Sequence, residues 1–185
     1  RGLLTTSALT VLAATPALAI DWLGTTSSQW TLGSNWSGGV APTSADDAVI
    51  DLTSPNAPTI AGGIANAAQL HIGATATGTL SITNGATVTA SLLSVGTNFG
   101  ATGTATIDGA GSSLTTSALS SIGNAGTGTL NIRNGGVASL GTFNVLYIGN
   151  DATGSGVVNV DGAGSQLNAN TSVGFWGTGV LNITN

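Results

Sequence analysis

Apolar and polar residues alternate along this chain in short phrases that return in a fixed order. Five of them are Gly78–Ile82 (GTLSI), Gly103–Ile107 (GTATI), Gly128–Ile132 (GTLNI), Gly156–Val160 (GVVNV) and Gly179–Ile183 (GVLNI). Each has apolar third and fifth positions, Ala105 being the weakest, with a polar residue between. A period of two sends the third and fifth side chains to one face of an extended strand and the fourth to the other. Each phrase therefore predicts a half-buried strand. The first four run into Asn84-Gly85, Asp108-Gly109, Asn134-Gly135 and Asp161-Gly162, pairs that tolerate positive φ and mark tight turns. Further strand phrases end in Ile-Gly or Val-Gly, at Gly73, Gly96, Gly123, Gly149 and Gly174, 23 to 27 residues apart.

Such turns also serve antiparallel hairpins, but repetition by whole units suits a parallel stack. One coil cannot bury its apolar face alone, whereas stacked neighbours pile equivalent Ile and Val residues into interior columns. The expected fold is an all-β, right-handed parallel β-helix of about 25-residue coils, with an atypical N-terminal cap. The chirality of parallel crossovers favours that hand, together with the family resemblance given below. A longer period is superposed. Asp-Gly-Ala-Gly-Ser occurs at 108–112 and 161–165, and Asn-Gly at 84–85 and 134–135, so coils alternate in type. The last unit reaches Asn185 inside a turn phrase, and the natural chain is expected to continue.

Residues 20–66 differ. They hold Trp22, Trp30 and Trp36, three of the four Trp, and Pro42, Pro55 and Pro58. A solenoid exposes strand edges and an open core at its first coil, and terminal repeats are atypical. The three Trp are expected to plug that end, because aromatics bury large areas. The competing reading makes them a platform for a glycan, so Trp22, Trp30 and Trp36 are the candidate ligand contacts. Residues 1–19 read as a secretory signal: an apolar run (LLTTSALTVLAATPALA from Leu3) ends in Ala17-Leu18-Ala19, a small-x-small cleavage pattern. The organisation expected is 1–19 signal peptide, 20–66 cap and 67–185 repeat solenoid.

Composition narrows the function. The chain carries two cations, Arg1 and Arg133, against seven Asp, for a net charge of −5. A basic footprint for nucleic acid is missing, and membrane insertion of the mature segment is not expected. With no Cys, neither a disulfide framework nor a thiolate metal site can be built.

The signal, the Trp-rich lead-in and units such as Ile122–Gly136 and Gly149–Leu167 together resemble the passenger repeats of bacterial autotransporters (type V secretion), a repeat type also seen in proteins with a PEP-CTERM sorting signal. The resemblance covers about 67–185 and implies a passenger exported through the periplasm and exposed on the cell surface and outer membrane, or secreted. It implies adhesin or virulence-associated roles, contact with a host surface, matrix or glycan, and a C-terminal translocator barrel in the full-length protein. It carries over no catalytic residue.

Chemistry is sparse. The one His, His71, lies in a strand phrase without a Gly-x-Ser-x-Gly elbow. Asp46, Asp47 and Asp51 cluster and offer part of the oxygen shell a calcium ion needs, but without EF-hand spacing they read better as a turn. No catalytic residue, cofactor or metal is expected. Thr-x-Thr triplets at 75–77, 87–89 and 104–106 suggest an ice- or crystal-binding face, but they do not recur at one place in every coil. The function expected is a structural stalk or adhesin passenger that is not an enzyme. A polysaccharide-binding module is the alternative, and a β-helix lyase or hydrolase a weaker one, since proton abstraction beside a sugar carboxylate calls for more acid–base groups than this chain has.

Overall fold

A computed structural model describes residues 18–53, 55–141 and 145–184. The chain winds as a parallel β-solenoid of about 7 turns. A lead-in strand, β1 (Leu18–Asp21), and a short 3-10 turn (Gly33–Asn35) precede the first full coil. That coil comprises β2 (Asp46–Ile50), β3 (Thr59–Ala61) and β4 (Ile64–Asn66). The next two are β5 (Gln69–Ile72), β6 (Thr77–Thr83), β7 (Thr87–Ala90), and β8 (Leu92–Val95), β9 (Thr102–Asp108), β10 (Ser113–Thr116). Two more follow: β11 (Ser120–Ile122), β12 (Thr127–Arg133), β13 (Val137–Ser139), and β14 (Val145–Ile148), β15 (Ser155–Asp161), β16 (Gln166–Asn168). The last described coil holds β17 (Asn170–Val173) and β18 (Thr178–Thr184).

From β2 onward, every third strand joins the same sheet. The first face runs β1-β2-β5-β8-β11-β14-β17, the second β3-β6-β9-β12-β15-β18, and the third β4-β7-β10-β13-β16. All ladders between these strands are parallel, so the Asn-Gly turns form corners and not hairpins. The three sheets already include β1 to β4, within the lead-in. Of the expected export signal, residues 1–17 lie outside the described residues. Leu18 and Ala19 open β1, paired with Asp46 and Asp47.

The five phrases are β6, β9, β12, β15 and β18, in register over seven residues. Their alternation builds the interior. Leu80, Ala105, Leu130 and Val158 form one buried column, and Ile82, Ile107, Ile132 and Val160 another. Ile50, Ile72, Val95, Ile122 and Ile148 stack on the first face. Side-chain direction has period two, so a slip of one residue would turn each column out into water, and burial thereby fixes register. One interior column is interrupted by Ser120, between Leu93 and Leu146. The Ser120 hydroxyl pairs with Thr116 Oγ1 at 2.9 Å and accepts from the Leu93 N–H at 3.3 Å. Thr116 in turn accepts from the Gly141 N–H at 2.9 Å. A buried polar pair is tolerated when its hydrogen bonds are made.

The corner between the first and second faces explains the repeated glycines. Gly73 has φ +67, and a Cβ there would overlap the Thr102 carbonyl of the next coil. Gly78 begins β6 with ordinary φ, yet a Cβ there would overlap the Ile50 carbonyl and the Gly73 N–H. Backbone meets backbone at this corner, leaving no volume for a side chain. The same two glycines return in each later coil.

Corner length accounts for the alternation of coil types. Short corners (Gly73 to Gly78, Gly123 to Gly128) precede strands that end in Asn-Gly. Long corners (Gly96 to Gly103, Gly149 to Gly156) precede strands that end in Asp-Gly-Ala-Gly-Ser. Asn84 (φ 56) and Asn134 (φ 53) are the described non-glycine residues in the left-handed region.

The lead-in closes one end of the stack. Thr59 N–H of β3 donates to Ser28 at 2.7 Å, and Trp22 N–H donates to Val49 of β2 at 2.8 Å. Trp22, Trp30 and Trp36 fill the space beneath, 1%, 3% and 1% exposed. Trp36 stands edge-on to both others, with ring centroids 4.9 Å from Trp22 and 4.6 Å from Trp30.

Candidate functional site

With the interior aliphatic, any site must be built from outward-facing positions, and the long second face offers the most regular ones. Thr79, Thr104 and Thr129 lie in one outward column, continued by Val157 and Val180. The next is Ser81, Thr106, Asn131, Asn159 and Asn182. Its three Asn form a ladder, each amide donating to the Oδ1 of the Asn before it, at 2.8 Å from Asn159 to Asn131 and from Asn182 to Asn159. The outermost column places Arg133 between Asp108 and Asp161. Arg133 Nε donates to Asp108 Oδ2 at 3.0 Å, and Asn134 Nδ2 donates to Asp108 Oδ1 at 2.7 Å. The Asn134 bond and the neighbouring guanidinium hold the Asp108 carboxyl below the usual carboxylate range. Asn131, Arg133, Asn159, Asp161 and Asn182 line an open groove that reaches Thr184. Sequence triplets alone hid the Thr column, because its members are Thr77-Gly-Thr79, Thr102-Gly-Thr104 and Thr127-Gly-Thr129, with the Gly turned inward at the corner.

The sequence-predicted ligand contacts are brought together, but inside the cap. Trp22 Nε1 donates to the Asn56 carbonyl at 2.7 Å and Trp36 Nε1 to the Trp30 carbonyl at 2.7 Å. In this arrangement none of the three rings offers a face to a sugar. Asn35, fully buried, ties the cap by accepting from the Thr26 and Ser27 N–H groups, each at 3.0 Å.

His71 lies on the outer side of the first face, in register with Val49 and Ser94. Burial lowers its pKa, while the nearby Asp47 and Asp51 carboxylates pull the other way. A triad needs the imidazole hydrogen-bonded to its nucleophile. Ser94 is beside it, but the Ser94 hydroxyl pairs with Thr97 Oγ1 at 2.9 Å and with Ser121 Oγ at 3.3 Å. Two members of the acidic cluster are spent on turns. Asp46 Oδ2 accepts from the Thr43 N–H (2.9 Å) and hydroxyl (2.6 Å), which lowers its pKa. Asp51 caps the next corner by accepting from the Ala74 and Thr75 N–H groups and the Thr75 hydroxyl. Asp47 Oδ1 is buried without a partner. Among the described residues no group of three or more His, Asp or Glu side chains is placed to hold a metal ion, and no helix is long and apolar enough to cross a membrane.

A second aromatic group lies outside the core. Tyr147 projects outward from β14, and Phe175 leans back over it from the corner after β17, with centroids 5.1 Å apart. Trp176 stands edge-on to Phe175 at 5.4 Å. Both belong to the last described coil, where Val173 and Ile183 of the interior columns are exposed as well. Sequence reasoning passed over this group. Its signal was an aromatic dipeptide in a corner whose equivalent, after Gly123, holds Asn124 and Ala125. Compared with known proteins, the chain matches no family model, no curated protein and no solved structure.

Proposed function

We propose that the chain is a stiff, non-catalytic passenger segment, exported and displayed at a bacterial surface or secreted, whose outer faces serve as an adhesive stalk. The observation that carries this reading is the in-register stack itself. In-register columns run along the second face from β6 to β18 and leave outward ranks rich in Thr, Ser and Asn, with charge confined to the Asp108–Arg133–Asp161 column. A solenoid of about 7 turns, at ~4.8 Å per layer, is roughly 30 Å long. Such an object supplies reach and repeated weak contacts in place of a pocket. The spent hydroxyl of Ser94 and the capping roles of Asp46 and Asp51 support a non-catalytic role.

Beads coated with the purified chain test adhesion. Retention on extracellular matrix or host-cell surfaces, lost when the chain is unfolded, is the expected result. Equal retention of folded and unfolded chain, or turnover of a uronate polymer, overturns the reading. Antibody labelling of intact, unpermeabilised cells tests display, and labelling only after permeabilisation contradicts it.

A further inference from the structure

We propose that the second face binds ice through a two-dimensional array of Thr side chains. The array has three outward columns on β6, β9 and β12. Thr77, Thr102 and Thr127 form the first, Thr79, Thr104 and Thr129 the second, and Ser81, Thr106 and Asn131 the third. Ser155 and Thr178 continue the first column over β15 and β18. With β3 paired to β6 and β15 to β12, the array lies within the sheet, away from both ends of the stack. Neighbouring positions are ~4.8 Å apart between strands and ~6.7 Å apart along a strand. Both repeats are close to the oxygen spacings on the prism face of hexagonal ice.

The hydroxyls of this array are left open. Elsewhere exposed Thr hydroxyls are spent within the protein: Thr43 and Thr75 donate to Asp46 and Asp51 at 2.6 Å, and Thr153 donates to the Ala125 carbonyl at 2.8 Å. Among the described residues, the six Thr hydroxyls of the first two columns have no such partner. Each is free to donate to and accept from a ligand that does both, as water does. β-Branching restricts Thr at χ1 and the ladder fixes its backbone, so little freedom remains to be lost on binding. Composition selects the lattice. The nine positions on β6, β9 and β12 carry no charge and no aromatic ring. A mineral surface calls for ionic partners, and a crystalline polysaccharide for aromatic faces. Ice calls for neither: the hydroxyls hold waters in lattice positions and the methyls exclude mobile ones.

This activity goes beyond surface display and is tested on the purified whole chain by ice-affinity partitioning and by inhibition of ice recrystallisation. The chain is expected to enter growing polycrystalline ice and to keep ice grains small. Thr102→Tyr and Thr104→Tyr should each abolish both effects, with unchanged circular dichroism. Thr104→Ser keeps the hydroxyl, removes the methyl and should fall between. Thr115→Tyr, at an exposed position on the third face, should change neither effect. Exclusion of the wild-type chain from ice overturns the proposal. So does ice binding that survives both Tyr variants of the second face, or that Thr115→Tyr abolishes equally. Binding of the same face to microcrystalline cellulose or chitin, without binding to ice, overturns the assigned lattice.

Discussion

Ser112 Oγ accepts a hydrogen bond from the Gly85 N–H at 3.1 Å while donating to the Asp108 carbonyl at 2.8 Å. One buried hydroxyl thus closes its own five-residue turn and clamps the two-residue turn of the coil before it. Ser165 repeats the arrangement, accepting from Gly135 at 3.1 Å and donating to Asp161 at 2.6 Å. The alternation of Asn-Gly and Asp-Gly-Ala-Gly-Ser is therefore a two-coil lock. Ser112→Ala leaves the Gly85 N–H without its acceptor and should cost about 1–3 kcal/mol in denaturant unfolding. Ser113→Ala, a half-buried neighbour, should cost markedly less.

The corner glycines should separate volume from conformation. Gly103→Ala places a methyl against the Ile72 carbonyl and the Gly96 N–H, both backbone atoms. Neither can yield without breaking the ladder, so the loss should be at least ~3 kcal/mol. Gly85→Ala meets no atom within 4 Å but has φ +73, and should lose only about 1–2 kcal/mol from the left-handed conformation. Thermal unfolding of the two variants checks the order, and equal losses would contradict the crowded corner.

Leu130 is buried between Ala105 and Val158 in its column. Leu130→Ala puts two small residues in succession and opens a cavity, so a cost of about 2–5 kcal/mol is expected. Trp36→Ala removes the ring that both other cap indoles face and should cost about 3–5 kcal/mol. Its effect on hydrogen exchange should concentrate in β1 to β4, far from β15 to β18.

Acid should destabilise the fold in two stages. The His71 pKa is lowered in the folded chain by burial, so its contribution is full above the unfolded value of about 6.5 and is lost as pH falls through the folded one. Asp46 and Asp108 have pKa values lowered by Thr43 and by Asn134 with Arg133 respectively. Their contributions are present above about 3.9 and are lost in stronger acid. His71→Gln should flatten the first stage, which sets in below about pH 6.5, and leave the second. An unaltered melting-temperature profile over that stage would contradict the role given to His71.

The solenoid was legible because two local signals agree over several coils. Alternation at Leu80, Ile82, Leu130 and Ile132 fixes the face, and Ile-Gly fixes the corner. The cap was legible from the clustering of three Trp outside the repeats. Three features were not. The extent of the first coil escaped because β3 and β4 are three residues long and lie among Gly and Pro. The Thr79–Thr104–Thr129 column escaped because the central Gly of each triplet gives no hydropathy signal. The Tyr147–Phe175 contact joins residues 28 apart, a distance set by the coil and not by any local pattern.

Interstrand nuclear Overhauser contacts test the central claim most directly. The account predicts parallel-type backbone contacts linking Ile82, Ile107, Ile132 and Val160 in succession. Antiparallel contacts between consecutive strands such as β6 and β7 would contradict the stacked solenoid and everything built on it.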